Sequence, residues 1–360
     1  MSKKIIYIAE FSPASNSAYS LQVFKMCDAF NEIGFKTILL LPHNNSKFSY
    51  IKKIFLLKKN PIIINIFKNN IQLNFILRIL FAVKCINFIK KIKNPFLLYS
   101  RSIVTSLILC IFGFKNTLEI HHEIKGFSRI FFYILKLQFF NKNIKIILIH
   151  KNLKKVIYLK KIKHSIIPSA TDPRDFQGLN FIKLKKSCVY IGSMYKGKGV
   201  ELIYKIANKL PNINFYIYGK NNGCNELFLK KKNIYIYPHI HYRNVPKTLS
   251  RFHVALMPYQ NKVEARSNNL EISKFMSPLK MFDYMASKII IVASRLSNYK
   301  DFINERNSIL CNPSNENDWV KKISLIFRNL KKYKYLKQKS IKIVNSNTWI
   351  KRAEKIINSF

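Results

Sequence analysis

The chain has 360 residues, 48% of them hydrophobic, with 63 Lys/Arg against 17 Asp/Glu and a formal net charge of +46. That is enough apolar material for two domains with separate cores, and it excludes a disordered chain. The basicity is even, with 28 Lys/Arg against 5 Asp/Glu up to Ala170 and 35 against 12 after it, which excludes a basic tail attached to a neutral domain.

At the N-terminus, Lys3 and Lys4 precede the apolar run Ile5-Ile6-Tyr7-Ile8-Ala9, as in a signal peptide, but the run is short and stops at Glu10. It reads as a first strand. Further strands are predicted at Thr37–Leu41, Ile62–Ile66, Phe96–Tyr99, Thr117–Ile120 and Ile144–Ile149, with helical patterns between most of them. Such alternation implies a parallel sheet wrapped by helices. In the first helix Leu21, Phe24, Cys27 and Phe30 share a face, and Gly34 ends it. The loop Ser12–Ala18, which includes Ser17, lies at the C-terminal end of strand one, the edge where open α/β sheets bind ligands. Arg101 follows the fourth strand and His121 the fifth, in Leu118-Glu119-Ile120-His121-His122-Glu123. A histidine at a strand end is more often structural than catalytic.

Between Lys47 and Lys93, lysines alternate with Ile, Phe and Leu. The pattern suits an amphipathic helix on an anionic membrane surface, or a core-packed helix with solvated lysines, and periodicity does not separate the two. The longest apolar stretches, Ile76 to Ile89 and Ile103 to Phe114, fall short of the ~18–20 residues that a span requires. No segment is expected to cross a membrane.

Prolines and turn formers in Ile166-Ile167-Pro168-Ser169-Ala170-Thr171-Asp172-Pro173 mark a domain boundary, and a second alternation begins with Ser187–Ile191. The loop after that strand carries Gly192, Ser193, Gly197, Lys198 and Gly199. Glycines there let backbone approach a phosphate, and Lys198 at the helix start supplies countercharge, although the stretch is neither a P-loop nor G-x-G-x-x-G. Strands are predicted at Asn214–Tyr218, Ile234–Tyr237 and His253–Met257. His239 and His241 point the same way if extended, but no third ligand lies at useful spacing, so no metal site is expected. A polar loop, Gln260 to Glu271, leads to Ser277-Pro278-Leu279-Lys280-Met281-Phe282-Asp283-Tyr284-Met285-Ala286. Ser277 suits an N-cap and Pro278 the first helical position, and the unpaired N–H groups of the first turn together with Lys280 make a phosphate site. Ile289–Val292 follows as a buried strand, and helical patterns run from Asp318 to Phe327 and from Lys331 onward. The six cysteines lie far apart with no C-x-x-C pair, as expected of reduced, buried thiols in a cytosolic protein.

The segment Ser277 to Ala286, with its following strand, resembles the donor-binding segment of glycosyltransferase family 4. Ser17 to Gly34, Tyr99 to Ser102, Leu118 to Glu123, Ile166 to Pro173, Cys188 to Leu202 and Thr348 to Ile356 resemble further segments of that family in the right order. The resemblance implies a GT-B fold: two Rossmann-like α/β domains facing across a cleft, residues 1–168 on the acceptor side and 169–345 binding the donor, with a helix in 346–360 crossing back to the first. It implies that Gly192, Ser193, Gly199, Ser277, Pro278 and Leu279 hold a nucleotide-sugar diphosphate and that Asp283 holds the ribose hydroxyls. It places Ile240 beside the nucleobase, His121 near the transferred sugar, and Ser17 and Arg101 toward the acceptor. The chain departs from the pattern at Phe275 and Ser193, where an acid and an arginine are usual, and at Asp283, which replaces Glu.

The implied reaction moves a sugar from a nucleotide-sugar to an acceptor hydroxyl with retention, in polysaccharide or lipopolysaccharide biosynthesis. No D-x-D motif occurs, so Lys198 and Lys280 are expected to stabilise the departing diphosphate without a metal, and the nucleotide-sugar is a co-substrate, with no cofactor. The acceptor is a saccharide or lipid-linked saccharide, and the location is cytoplasmic or peripheral on the inner membrane face. One rival is a nucleic-acid-binding protein, suggested by charge and 19 tyrosines, but composition rich in Ile, Lys, Asn and Phe also follows from AT-rich coding, and RNP, zinc-finger and KH signatures are absent. Nucleic acid is therefore not expected as a partner. Two other rivals keep the fold: a non-catalytic sugar-nucleotide-binding subunit, and a nucleotide-sugar epimerase.

Overall fold

In the computed structural model the described residues are 3–11, 17–93, 95–136, 142–157, 159, 162–179, 181–220, 232–263 and 273–359. Most of the expected loops Ser12–Ala18 and Gln260–Glu271, and also Cys224, lie outside the described residues. The chain divides into two compact units, Met1–Ser169 with Trp349–Phe360, and Ala170–Thr348.

The first unit is built on strands β1 (Lys4–Ile8), β2 (Lys36–Leu41), β3 (Ile62–Asn65), β4 (Phe96–Ser100), β5 (Asn116–Ile120), β6 (Ile144–Leu148) and β7 (His164–Ile166). They form one parallel sheet in the order β3-β2-β1-β4-β5-β6-β7. Ile5, Ile6, Tyr7 and Ile8 have no exposure, as befits a parallel strand covered on both faces by crossover helices. Those helices are α1 (Ala18–Glu32), α2 (Phe48–Phe55), α3 (Phe75–Lys90), α4 (Ile103–Ile111), α5 (Phe127–Leu135) and the single turn α6 (Leu153–Val156). Strand order reverses between β1 and β4, and the loops leaving these two strands carry Ser17 and Arg101.

One expectation changes here. Helix α1 is buried at Ser20 and from Gln22 through Phe30, not along one face, because it contacts β2 and the C-terminal helix Trp349–Ile357. In α2 the apolar residues Ile51, Ile54 and Phe55 are buried while Lys52 and Lys53 are exposed, so the apolar side packs inward and the two lysines face outward.

The second unit has strands β8 (Ser187–Ile191), β9 (Asn214–Tyr218), β10 (Ile234–Tyr237), β11 (Val254–Met257), β12 (Ile290–Ser294) and β13 (Ile309–Cys311). They pair in parallel as β10-β9-β8-β11-β12-β13, so the order again reverses, between β8 and β11. Helices α7 (Val200–Lys209), α8 (Val245–Ser250), α9 (Leu279–Ala286), α10 (Glu316–Arg328) and α11 (Lys334–Ser346) flank it among the described residues. Its core joins Tyr190, Phe215 and Ile217 of the sheet to Ile203 and Ile206 of α7 and Trp319 and Ile323 of α10. The sequence pattern missed β7 and β13, which have three residues each, too few for periodicity to register. The five described cysteines are free and buried, and no helix among the described residues is long and apolar enough to cross a membrane.

Candidate active site

In the second unit the chain leaves β8 at Gly192 and enters α7 at Gly199, both at positive φ, +151° and +85°. A Cβ on Gly192 would collide with Nζ of Lys280, and one on Gly199 with the carbonyl oxygen of Pro258. The absent Cβ of Gly192 leaves the space that the lysine of α9 occupies at the end of β8. The carbonyl of Ser193 accepts from the Tyr190 hydroxyl at 2.8 Å, which holds the loop against the strand. Tyr284 ties α9 to the same place, its hydroxyl accepting from the Ile191 N–H at 2.9 Å.

Lys280 Nζ lies 3.9 Å from the Tyr190 ring centroid and 5.2 Å from that of Tyr259, and Lys198 Nζ lies 5.1 Å from Tyr259. One buried ring therefore stands within cation–π range of both ammonium groups. The Lys280 Nζ is buried and has no hydrogen-bond partner among the described residues. Burial pushes Lys198 down to about 8. Burial, reinforced by the charge of Lys198, holds Lys280 well below the ordinary lysine value. Among the described residues no carboxylate offsets either shift, so two desolvated amines stand together, an arrangement that favours an anionic ligand.

The expected helix start is corrected in detail. Helix α9 begins at Leu279, with Pro278 in the cap position at extended ψ, and no side chain caps it. Ser277 therefore precedes the cap, because the proline after it holds an extended backbone and cannot offer an N–H. Asp283, in the second turn from that start, is 7% exposed, and its Oδ1 accepts from the Thr171 hydroxyl at 2.7 Å. Ile240 follows β10 and is half-buried, just before the short turn Tyr242–Asn244. His239 is lowered by burial and by His241, and no cluster of three metal-ligating side chains occurs among the described residues.

In the first unit Ser17 caps α1, its Oγ accepting from the Ser20 N–H at 3.1 Å. Arg101 stacks on Tyr19, 3.9 Å from the ring centroid, and burial lowers its guanidinium. His121 donates through Nε2 to Oε1 of Glu119, which also receives Gln22 Nε2 at 3.0 Å and Arg352 Nη2 at 2.9 Å. Burial and the nearby Arg101 lower His121 to about 4 even though Glu119 pulls the other way. His122, by contrast, is exposed and bonds only the Glu123 carbonyl, at 2.9 Å.

The structure thus brings Gly192, Ser193, Lys198, Gly199 and Lys280 together in one unit, and Ser17, Arg101 and His121 to one sheet edge in the other. Sequence reasoning missed Tyr190, Tyr259, Tyr284, Thr171, Glu119, Gln22 and Arg352. Tyr190 and Tyr284 sit in apolar runs that read as core, and the pairs Thr171–Asp283 and Arg352–Glu119 join residues more than a hundred positions apart.

Residues 185–329 match a family model described as Glycosyl transferases group 1. No curated protein matches the chain. Among solved structures, a glycosyltransferase from Rickettsia africae is 15% identical, with 99% of this chain and 97% of that one covered at a TM-score of 0.73. Anabaena HepE in complex with UDP-glucose is 9% identical over 99% and 100%, with a TM-score of 0.67. WaaG, a glycosyltransferase involved in lipopolysaccharide biosynthesis, is 9% identical over 98% of each chain, with a TM-score of 0.65. These likenesses show the fold, which is of the GT-B class with two Rossmann-like units.

Proposed function

We propose that the protein is a retaining glycosyltransferase that moves a sugar from a nucleotide-sugar to an acceptor hydroxyl in cell-surface polysaccharide or lipopolysaccharide biosynthesis. The observation that carries this reading is the pair of lysines at the switch point of the second sheet, one with a buried ammonium that has no hydrogen-bond partner among the described residues. Cleavage of the anomeric C–O bond leaves negative charge on the diphosphate, and fixed cations that are already desolvated stabilise that charge without reorganising. Each is worth about 3–4 kcal/mol of transition-state stabilisation by analogy with oxyanion-hole donors. The family match over the same residues supports the assignment. Asp283 then takes the ribose, Ile240 lies toward the base, and His121, Arg101 and Ser17 serve the transferred sugar and the acceptor.

The absence of D-x-D from the sequence supports catalysis without a divalent ion. The experiment is release of nucleoside diphosphate from a panel of nucleotide-sugars, with and without acceptors and chelator, and NMR of the anomeric configuration of the product. Turnover that survives chelator with retained configuration is the expected result. Turnover abolished by chelator and restored by magnesium or manganese, or an inverted product, overturns that part of the reading.

A membrane surface is the place where a lipid-linked acceptor is met, and an apolar patch on the first unit supports this location. Phe75 and Ile76 at the start of α3 and Phe127 and Ile130 of α5 are exposed, at 42%, 73%, 73% and 56%. The Phe75 ring lies 5.9 Å from Phe127, so they form one patch, and the exposed Arg78, Lys125 and Arg129 stand on the same two helices or beside them. Apolar side chains with basic neighbours match the chemistry of an anionic interface.

A further inference from the structure

The polar cluster behind His121 joins β5, α1 and the C-terminal helix of the first unit. Glu119 and His121 stand two residues apart at the end of β5 and so share a face. The Glu119 side chain has no exposure, while that of His121 keeps 20%. One carboxylate oxygen of Glu119 collects three donors: His121 Nε2, Gln22 Nε2 of α1 at 3.0 Å, and Arg352 Nη2 of the C-terminal helix at 2.9 Å. Arg352 is itself fixed, donating through Nε to the Pro168 carbonyl at 2.8 Å and through Nη1 toward the Met26 sulfur at 3.1 Å.

The chemistry of this cluster decides where the imidazole proton sits. Burial alone would raise Glu119, but Arg352 and then His121 hold it at about 2, so it is a carboxylate and accepts only. His121 must therefore be the donor, through Nε2. Its ring is neutral at physiological pH, since burial and Arg101 keep it at about 4. A neutral imidazole protonated at Nε2 carries its lone pair on Nδ1.

We infer that Glu119, clamped by Arg352 and Gln22, is a positioning residue that locks His121 as the Nε2–H tautomer, so that Nδ1 accepts a hydrogen bond from a hydroxyl of the bound saccharide. The inference rests on the proposed function for the placement of His121 beside the sugar, but the tautomer itself does not depend on that function. A histidine locked this way selects a partner that donates. It favours a free hydroxyl over an alkylated or acylated one at the contacted position.

The test is two-part. In uniformly ¹⁵N-labelled full-length protein, long-range ¹H–¹⁵N correlation at neutral pH reads each imidazole, and His121→Gln identifies the signal by its loss. The expected spectrum shows neutral His121 protonated at Nε2. In Glu119→Gln the amide can donate or accept, so the two tautomers mix, and kcat/KM for transfer falls about tenfold, the value of one lost hydrogen bond to substrate. Affinity for the nucleoside diphosphate alone stays unchanged. Because Glu119→Gln leaves Arg352 without its counter-charge, Glu119→Gln with Arg352→Gln, which removes both charges, is measured beside it. A wild-type His121 that is protonated at Nδ1, or is an imidazolium at neutral pH, overturns the inference. So does a folded variant whose tautomer mixes while kcat/KM holds. Absence of turnover by the wild type with every nucleotide-sugar refutes the transferase reading instead, and the wild-type spectrum still decides the tautomer.

Discussion

Lys198→Met separates a site built for an anion from an ordinary surface lysine. Its ammonium titrates at about 8 in the folded protein against 10.5 for an unperturbed lysine. Between those values the unfolded chain binds the proton and the folded chain does not, so the unfolded state holds more protons and stability rises with pH across the window. Below about 8 both states are protonated, and the folded protein carries the full cost of a desolvated ammonium. At 1.36 kcal/mol per unit that cost is about 3 kcal/mol. Urea unfolding of the wild type and of Lys198→Met, at pH values from about 7 to about 10, measures it. The variant should be the more stable near pH 7, and its advantage should shrink as pH rises, because it lacks the titrating group. The buried tyrosines, whose raised values act in the opposite sense at high pH, cancel in the comparison. A saturating nucleoside diphosphate should flatten the wild-type slope by restoring the proton to Lys198. Parallel curves for the two proteins would show that Lys198 is solvated and would remove it from the site.

Asp283→Asn should weaken nucleotide binding by ~1–3 kcal/mol, since an amide accepts from ribose hydroxyls less well than a carboxylate. Unchanged affinity in calorimetry with the fold intact would leave Asp283 as a structural partner of Thr171. Arg352→Met should cost about 3–5 kcal/mol of unfolding free energy, because Glu119 then remains as a buried charge without its cation. A loss below about 1 kcal/mol would mean that the pair is solvated. Liposome co-sedimentation should show binding to anionic and not neutral vesicles, fading as screening shortens from ~10 Å at 0.1 M salt to ~3 Å at 1 M. Replacing Phe75, Ile76, Phe127 and Ile130 with Ser should abolish it, whereas replacing Lys52, Lys53, Lys58 and Lys59 with Gln should only weaken it. The reverse pattern would move the contact to α2.

The two sheets were legible in the sequence because parallel strands buried on both faces read as continuous apolar runs, and Ile5 to Ala9 and Ile289 to Val292 are such runs. The loops after β1, β4, β5 and β8 were legible for a related reason: small, glycine-rich or polar residues interrupt the apolar pattern at the sheet edge that binds ligands. Helix burial was less legible. The spacing in α1 predicts one apolar face, but the C-terminal helix, whose Arg352 lies 326 positions from Met26, covers the other. The supports of the site were hidden for the same reason. Nothing local in Glu119 reveals that Arg352 and Gln22 converge on it, and nothing in Tyr259 reveals that it lies under two lysines. Lys280 itself was legible, but its burial, on which the phosphate reading now rests, was not, since Gly192, Tyr190 and Tyr259, which lie against it, are distant in the sequence.

The most direct measurement is calorimetric titration of the protein with nucleoside diphosphates, in chelator, for the wild type, Lys198→Met and Lys280→Met. Saturable binding by the wild type, weakened by ~1.5–3 kcal/mol in each variant as expected for lost charge-assisted bonds, with proton uptake near the Lys198 value of about 8, is the predicted result. Wild-type protein that is folded and binds none of them, or that binds them equally well without either lysine, would contradict the account.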